Sequence, residues 1–309
     1  MSGTVPLGNA ATSVSSRFNL VGLAPSALLA TAVGALVASG AFSGAPSLHL
    51  LLLRAGKVNI FIASAIFLAV FCAALVLQPF QLLLVRILEG YWESIPVLRH
   101  LRWVGIEINR RRQWEINVLA NDEELALRLY PPTTDDLLPT RLGNVLRSAE
   151  RQAGQNHGFS DPVEMLPRIY PYISSPLAEN IRDARNDLDT ACRMCAVLWT
   201  IALVAGCTLT ADGAAAASVG AWLAVPAATA LFGVFSYRAA VRCAEEYGRL
   251  LYYVFDLHRR DLIRALGYTP PEDPDDERHL IEALTIWLVE RQSAAPTSYR
   301  EKPPRDPAP

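Results

Sequence analysis

MCAVLWTIALVAGCTLTADGAAAASVGAWLAVPAATALFGVFSY, residues 194–237, decides how this chain is read. Two runs in it, 194–210 and 215–236, are free of charge, and only a short connector around Asp212 and Gly213 separates them. A helix needs roughly 17–25 predominantly apolar residues to cross a bilayer core about 30 Å thick. The stretch therefore predicts two membrane helices in a tight antiparallel hairpin. Pro226 lies near the middle of the second, where neighbouring helices can re-satisfy the carbonyl it frees.

Working outward, both helices are expected to be much longer than the membrane requires. Upstream, Ser175-Pro176 marks a helix start, and Leu177, Ile181, Ala184, Leu188 and Ala191 follow the helical period without a breaker before Met194. This predicts one helix of about 35 residues, roughly 50 Å long. Downstream, residues 237–266 contain no proline and carry an apolar stripe at Val241, Leu251, Phe255, Leu262 and Leu266, closed by Gly267 and Pro270-Pro271. The two extensions are expected to pair as a stalk beneath the membrane.

Two further apolar segments precede the hairpin. Residues 20–42 form a charge-free run in which Ala30, Gly34 and Ala38 place small residues at every fourth position, a pattern that lets helix backbones approach. The run is too long for the apolar core of a signal peptide, and Arg17 alone makes a weak basic flank. Residues 58–78 form the second, with Pro79 a predicted kink and an interfacial continuation to Tyr91 and Trp92.

Arginine sets the expected orientation. Arg99, Arg102, Arg110, Arg111 and Arg112 follow the second segment, and Arg238, Arg242 and Arg249 follow the fourth, whereas the connector at Asp212 has no positive charge. The positive-inside rule puts the large connection and both termini in the cytoplasm, with Arg54 and Lys57 in an external loop as the one conflict. The resulting fold class is all-α: a polytopic membrane protein with four transmembrane helices and a cytoplasmic helical bundle and stalk. The expected organisation is a cytoplasmic tail at 1–18, a first transmembrane pair within 19–92 and a cytoplasmic helical region at 93–190. The second transmembrane hairpin follows at 191–237, then a helical extension and terminal helix at 238–291 and a disordered tail at 292–309.

Within the cytoplasmic part, Leu98, Leu101, Val104, Ile108, Trp114 and Ile116 recur at helical spacing around Arg110–Arg112. A basic amphipathic helix with Trp can lie on an anionic leaflet, or pack on its own domain with the arginines solvated. Thr140 is expected to cap a helix with Leu142, Val145, Leu146 and Ala149 on one face, and Asp161 or Ser160 to cap another that opens on Pro162. Asp273-Pro274 opens a last helix, acidic in its first turn at Asp275, Asp276 and Glu277.

The runs LQPFQL from Leu77, VRILEGYW from Val85, LPTRLGNVLR from Leu138 and YVFDLH from Tyr253 are similar to those of uncharacterised multi-pass membrane proteins of actinobacteria, over most of the chain from the second apolar segment onward. The resemblance implies a bacterial plasma membrane and brings no activity, cofactor or substrate with it. Arginine supplies all but two of the 28 basic residues, which agrees with a GC-rich genome.

The chemistry-bearing residues point away from catalysis. The composition is 51% hydrophobic and 19% charged with net charge −2, which offers no basic field for nucleic acid. None of the five histidines has a partner at zinc spacing, and Cys192 and Cys195 lie on a helical run and are read as helix-packing thiols. No catalytic, cofactor-binding or metal residue is expected, and no cofactor. Charge is missing from the centre of every apolar segment, which disfavours proton relays and ion-coupled carriers. The candidate contacts for an anion or lipid headgroup are Arg110, Arg111, Arg112, Arg141, Asn144, Arg147 and Arg151; the alternative for Arg141, Arg147 and Arg151 is that they pair with Glu150, Asp135, Asp136 or the acids at 183, 187 and 189. The expected partners are the lipid bilayer and either a protein bound to the cytoplasmic bundle or a second copy joined through membrane helices. This predicts a non-enzymatic membrane-anchored scaffold or sensor; the rivals are a homo-oligomeric pore and a lipid-acting membrane enzyme.

Overall fold

A computed structural model describes residues 24–44, 46–77, 81–211 and 220–289. Among these the chain is helical, with no strand. The helices are α1 (Ala24–Ser39), α2 (Leu48–Ala55), α3 (Ile60–Leu77), α4 (Gln81–Glu89), α5 (Pro96–Trp114), α6 (Glu123–Leu129), α7 (Arg141–Gln152), α8 (Pro162–Ile169), α9 (Ser175–Ala211), α10 (Ala224–Ala265) and α11 (Pro274–Val289). The predicted kink at Pro79, the connector at Asp212 and the tail from 292 lie outside the described residues. The chain divides into two compact units: residues 1–85 with 189–240, and residues 86–188 with 241–309.

Helices α9 and α10, whose residues 189–211 and 224–240 belong to the first unit, are both long and apolar enough to cross a membrane. A third span is present if α2 and the start of α3, which meet at a 106° bend, count as one. The 37 residues of α9 agree with the long helix expected from Ser175 onward. Ser236 Oγ donates to the Ala191 carbonyl at 3.0 Å, and a Cβ on Gly233 would stand 3.1 Å from Trp199 Nε1, so the two helices run antiparallel in close contact. Leu36 and Ala41 pack with Ala205 and Leu209.

Among the described residues, the segment expected to cross at 20–42 is helical over Ala24–Ser39, about 24 Å at 1.5 Å per residue. Gly40, at φ +86°, ends it: its N–H bonds the Val37 carbonyl while the Ala41 N–H reaches Leu36, a closed C-terminal motif that needs a left-handed residue. The following loop is also partly helical. In α2, Arg54 donates to the carbonyls of Val37 (2.9 Å) and Ala38 (3.2 Å), so the arginine at odds with the charge rule caps the end of α1. Gly34, central to the small-residue face, has open space where a Cβ would stand. α3 is apolar on all sides, and Ile60, Phe61, Phe67 and Leu68 are exposed, as on a helix that faces lipid.

The second unit has a conventional core. Phe159, Met165, Ile169, Ile181, Leu251, Phe255, Ile263, Ile281 and Leu284 form one cluster that joins α8, α9, α10 and α11. Helix ends follow the local chemistry. Thr140 Oγ1 accepts from Gly143 N–H and Asp161 Oδ1 from Glu164 N–H, so Asp161 is the cap of α8. Asp273 Oδ1 accepts from Asp275 N–H ahead of the acidic turn of α11. At the end of α10, Gly267 (φ +81°) bonds Arg264 while Tyr268 N–H reaches the Ile263 carbonyl, and both Tyr268 and Ile263 are in the core.

Candidate functional site

The site is built around a three-residue segment, Leu138-Pro139-Thr140, held in the second unit by α4, α5 and α7. It needs close backbone approach, and glycine supplies it. A Cβ on Gly90 would sit 2.8 Å from Pro139 Cδ, one on Gly105 2.6 Å from the Pro139 carbonyl oxygen, and one on Gly143 1.8 Å from the Glu89 carbonyl oxygen. Gly90 also has φ +97° and closes α4, with Tyr91 N–H on the Arg86 carbonyl at 2.9 Å. Two of the runs quoted above, at Val85–Trp92 and Leu138–Arg147, therefore meet at these glycines.

Two buried asparagines fix the segment. Asn144 Oδ1 accepts from Leu138 N–H at 2.7 Å, and its Nδ2 donates to the Leu138 carbonyl at 2.9 Å. Asn109 Nδ2 donates to the carbonyls of Pro139 (3.0 Å) and Gly105 (2.9 Å). At Asn144 a carboxamide is the side chain for this task because it carries a donor and an acceptor at once. Asn144 has no exposed surface. It shares the sequence neighbourhood of Arg141, Arg147 and Arg151 but not their solvent-facing side.

The structure separates the remaining predicted contacts into two groups. Arg147 and Arg151 both reach Asp136 Oδ1, at 3.8 and 3.4 Å, and Arg141 reaches Glu245 Oε1 at 3.8 Å. Glu150, also weighed as a partner, lies nearby without a direct bridge to them; burial pushes its carboxyl above the ordinary range, against the opposing fields of Arg185, Arg147 and Arg151. Arg147, Glu150 and Arg151 line a cavity of about 210 Å³ together with Tyr91, Asp161 and Glu164. Burial likewise raises the Tyr91 phenol. The second group lies on α5. Arg110 and Arg111 both bridge Glu107, and the hydrogen bond from Arg111 holds that carboxyl below its usual range. Arg112 is exposed beside them.

Elsewhere in the unit, Glu277 is almost wholly buried and takes Nε–H bonds from Arg259 (2.6 Å) and Arg260 (2.7 Å). Burial alone would raise its carboxyl; the two guanidinium hydrogen bonds outweigh this and lower it. His157 Nε2 meets Asp256 Oδ1 at 2.6 Å. Among the described residues no group of three His, Cys, Asp or Glu side chains stands close enough to hold a metal ion. Cys192 and Cys195 are buried on α9 and form no disulfide.

Sequence reasoning missed the glycine-and-asparagine clamp. Its one visible signal was Gly143, placed in a helix interior, where glycine is ordinarily disfavoured.

Comparisons of the chain with protein-family models, with curated proteins and with solved structures return no match. The fold and the site define an all-α protein with at least two helices fit to cross a membrane and a separately packed helical unit.

Proposed function

We propose that the chain is a multi-pass protein of a bacterial plasma membrane, crossing four times at about 20–42, 58–78, 194–210 and 215–236, with both termini and the second unit in the cytoplasm. We propose further that it acts as a non-enzymatic scaffold or sensor whose second unit binds a partner protein. The observation that carries this reading is large apolar and aromatic surface left exposed on a unit with a well-filled core. Tyr253 and Leu257 (52% and 66% exposed) sit one turn apart on α10, and Val163, Tyr170 and Tyr172 are exposed along α8 and the turn after it. The cavity lined by Tyr91, Arg147, Glu150 and Arg151 supports the sensor half of the reading, because it offers a small polar ligand both signs of charge.

Two experiments test it. A reporter fused after Asp212 is expected on the outer side of the membrane; a cytoplasmic signal there overturns the topology. In-cell crosslinking followed by purification is expected to recover a stoichiometric second polypeptide, lost when Tyr253 and Leu257 are changed to Ser. A ladder of self-crosslinks alone refutes the scaffold in favour of a homo-oligomer.

A further inference from the structure

Helix α5 is turned inside out for a soluble protein. Its packed stripe is small and polar: Gly105 lies against Pro139, buried Asn109 bonds the Gly105 and Pro139 carbonyls, and Gln113 Nε2 donates to the Pro131 carbonyl at 3.1 Å. These positions recur every four residues, so they form one face. The apolar residues point the other way. Val104 and Ile108, one turn apart, are exposed, and so are Trp103 (69%) and Trp114 (55%), three turns apart on one line. The widened π-turn that follows, Glu115–Leu119, adds exposed Val118 and Leu119.

The charge on the same helix identifies what covers this face. α5 carries Arg99, Arg102, Arg110, Arg111 and Arg112 against a single acid, Glu107, a net of +4. An exposed stripe that combines tryptophan, branched aliphatic residues and flanking arginines matches the boundary of an anionic bilayer. There the rings enter the acyl edge and the guanidinium groups meet phosphate. A protein partner of such a face would need a matching acidic rim, and within α5 itself Glu107 is already engaged by Arg110 and Arg111. The helix also begins only seven residues after α4 ends at Glu89, close in sequence to the wholly apolar α3.

We infer that α5 and its π-turn are a docking surface for an anionic lipid leaflet, with Trp103 and Trp114 as the buried anchors and Arg110–Arg112 as the headgroup contacts. This rests on the reading that the chain is embedded in a membrane and adds a second attachment to it.

The test uses the full chain reconstituted in vesicles whose acyl chains carry bromine, which quenches tryptophan on contact. The fluorescence difference between the parent and W103F/W114F isolates the α5 anchors, while Trp199 and Trp222, which remain in the variant, report insertion of the first unit. The difference signal is expected to fall at least about twofold in phosphatidylglycerol bilayers and much less in phosphatidylcholine. Each arginine beside an anionic surface is worth roughly fivefold in partition, and Glu107 is present in both proteins, so R110Q/R111Q/R112Q, which removes three positive charges, is expected to lower docked partition on the order of 100-fold. Quenching of the remaining tryptophans with none of the difference signal overturns the docking surface and leaves membrane insertion standing. Loss of both overturns the membrane reading itself. Equal quenching in the two bilayers overturns the anionic selectivity. A photo-crosslinking phenylalanine analogue at position 103 that captures a polypeptide instead of lipid in native membranes assigns the face to a protein and overturns the proposal.

Discussion

Asn144→Ala tests the clamp directly. The side chain is fully buried, and its two hydrogen bonds, 2.7 and 2.9 Å, serve the N–H and C=O of Leu138. Stranding a buried N–H costs about 1–3 kcal/mol. The Leu138 carbonyl keeps only a 3.4 Å approach from Asn109 Nδ2, so its loss adds about 1 kcal/mol. The void left by the carboxamide adds about 1 kcal/mol more. The sum, about 3–5 kcal/mol, is a large part of the roughly 5–15 kcal/mol that stabilises a folded domain. It corresponds to roughly a 10 °C fall in Tm for a unit of this size. The assay is thermal unfolding of the full chain in detergent micelles, with limited proteolysis of the 131–141 segment as a local readout. Arg147→Gln is the control: it loses one half-exposed ion pair at 3.8 Å and is expected to cost under about 1 kcal/mol. If Asn144→Ala stays within about 0.5 kcal/mol of the parent, or Arg147→Gln does equal harm, the asparagine does not organise the segment and the reasoning is wrong.

Gly143→Ala puts a methyl group 1.8 Å from the Glu89 carbonyl oxygen, a backbone atom that cannot swing aside; a loss of about 3 kcal/mol or more is expected in the same assay. Gly34→Ala, with open space at its Cβ, is expected to be neutral or slightly stabilising. Glu277 is held below the ordinary value of 4.5, so its contribution to stability is present above that pH and is lost as pH falls through the folded value. Acid titration of Tm should therefore show a drop that Glu277→Gln reduces, at the cost of lower stability at pH 7. Glu150 has the opposite sign. Its folded carboxyl is raised above 4.5, so stability falls as pH rises from there through the folded value, and Glu150→Gln is expected to flatten that slope and raise Tm at pH 7.

Helix boundaries set by nearest-neighbour chemistry were legible in the sequence. Thr140, Asp161 and Gly267 close or open their helices as expected, because a cap is decided within three or four residues. The long course of α9 was legible for the same reason: nothing between Ser175 and Ala211 interrupts helical hydrogen bonding. The early end of α1 was not read, since Gly40 sits in an apolar run that a hydropathy window averages over. The helical part of the 48–55 loop was missed because its polar residue, Arg54, satisfies carbonyls 16 and 17 residues away.

The candidate site was legible in composition and not in arrangement. Arg147 and Asn144 are three residues apart on one helix and looked like members of one anion site. A 3.6-residue period leaves residues three apart about 60° from each other on one side of the helix; the short Asn144 is sealed against Leu138 there, while the longer Arg147 reaches Asp136 at the surface. On α5 the ambiguity was of sign. Periodicity gives the direction of the apolar stripe relative to the polar one but cannot say which faces the protein. That depends on Pro139 and the Pro131 carbonyl, which arrive from residues 18 to 34 positions further along the chain. Once Gly105, Asn109 and Gln113 are taken up by those contacts, the tryptophans are left outward, and an exposed aromatic patch of that kind marks contact with a partner or a second apolar phase. In a chain that already holds helices fit to span a bilayer, the lipid boundary is the nearest such phase.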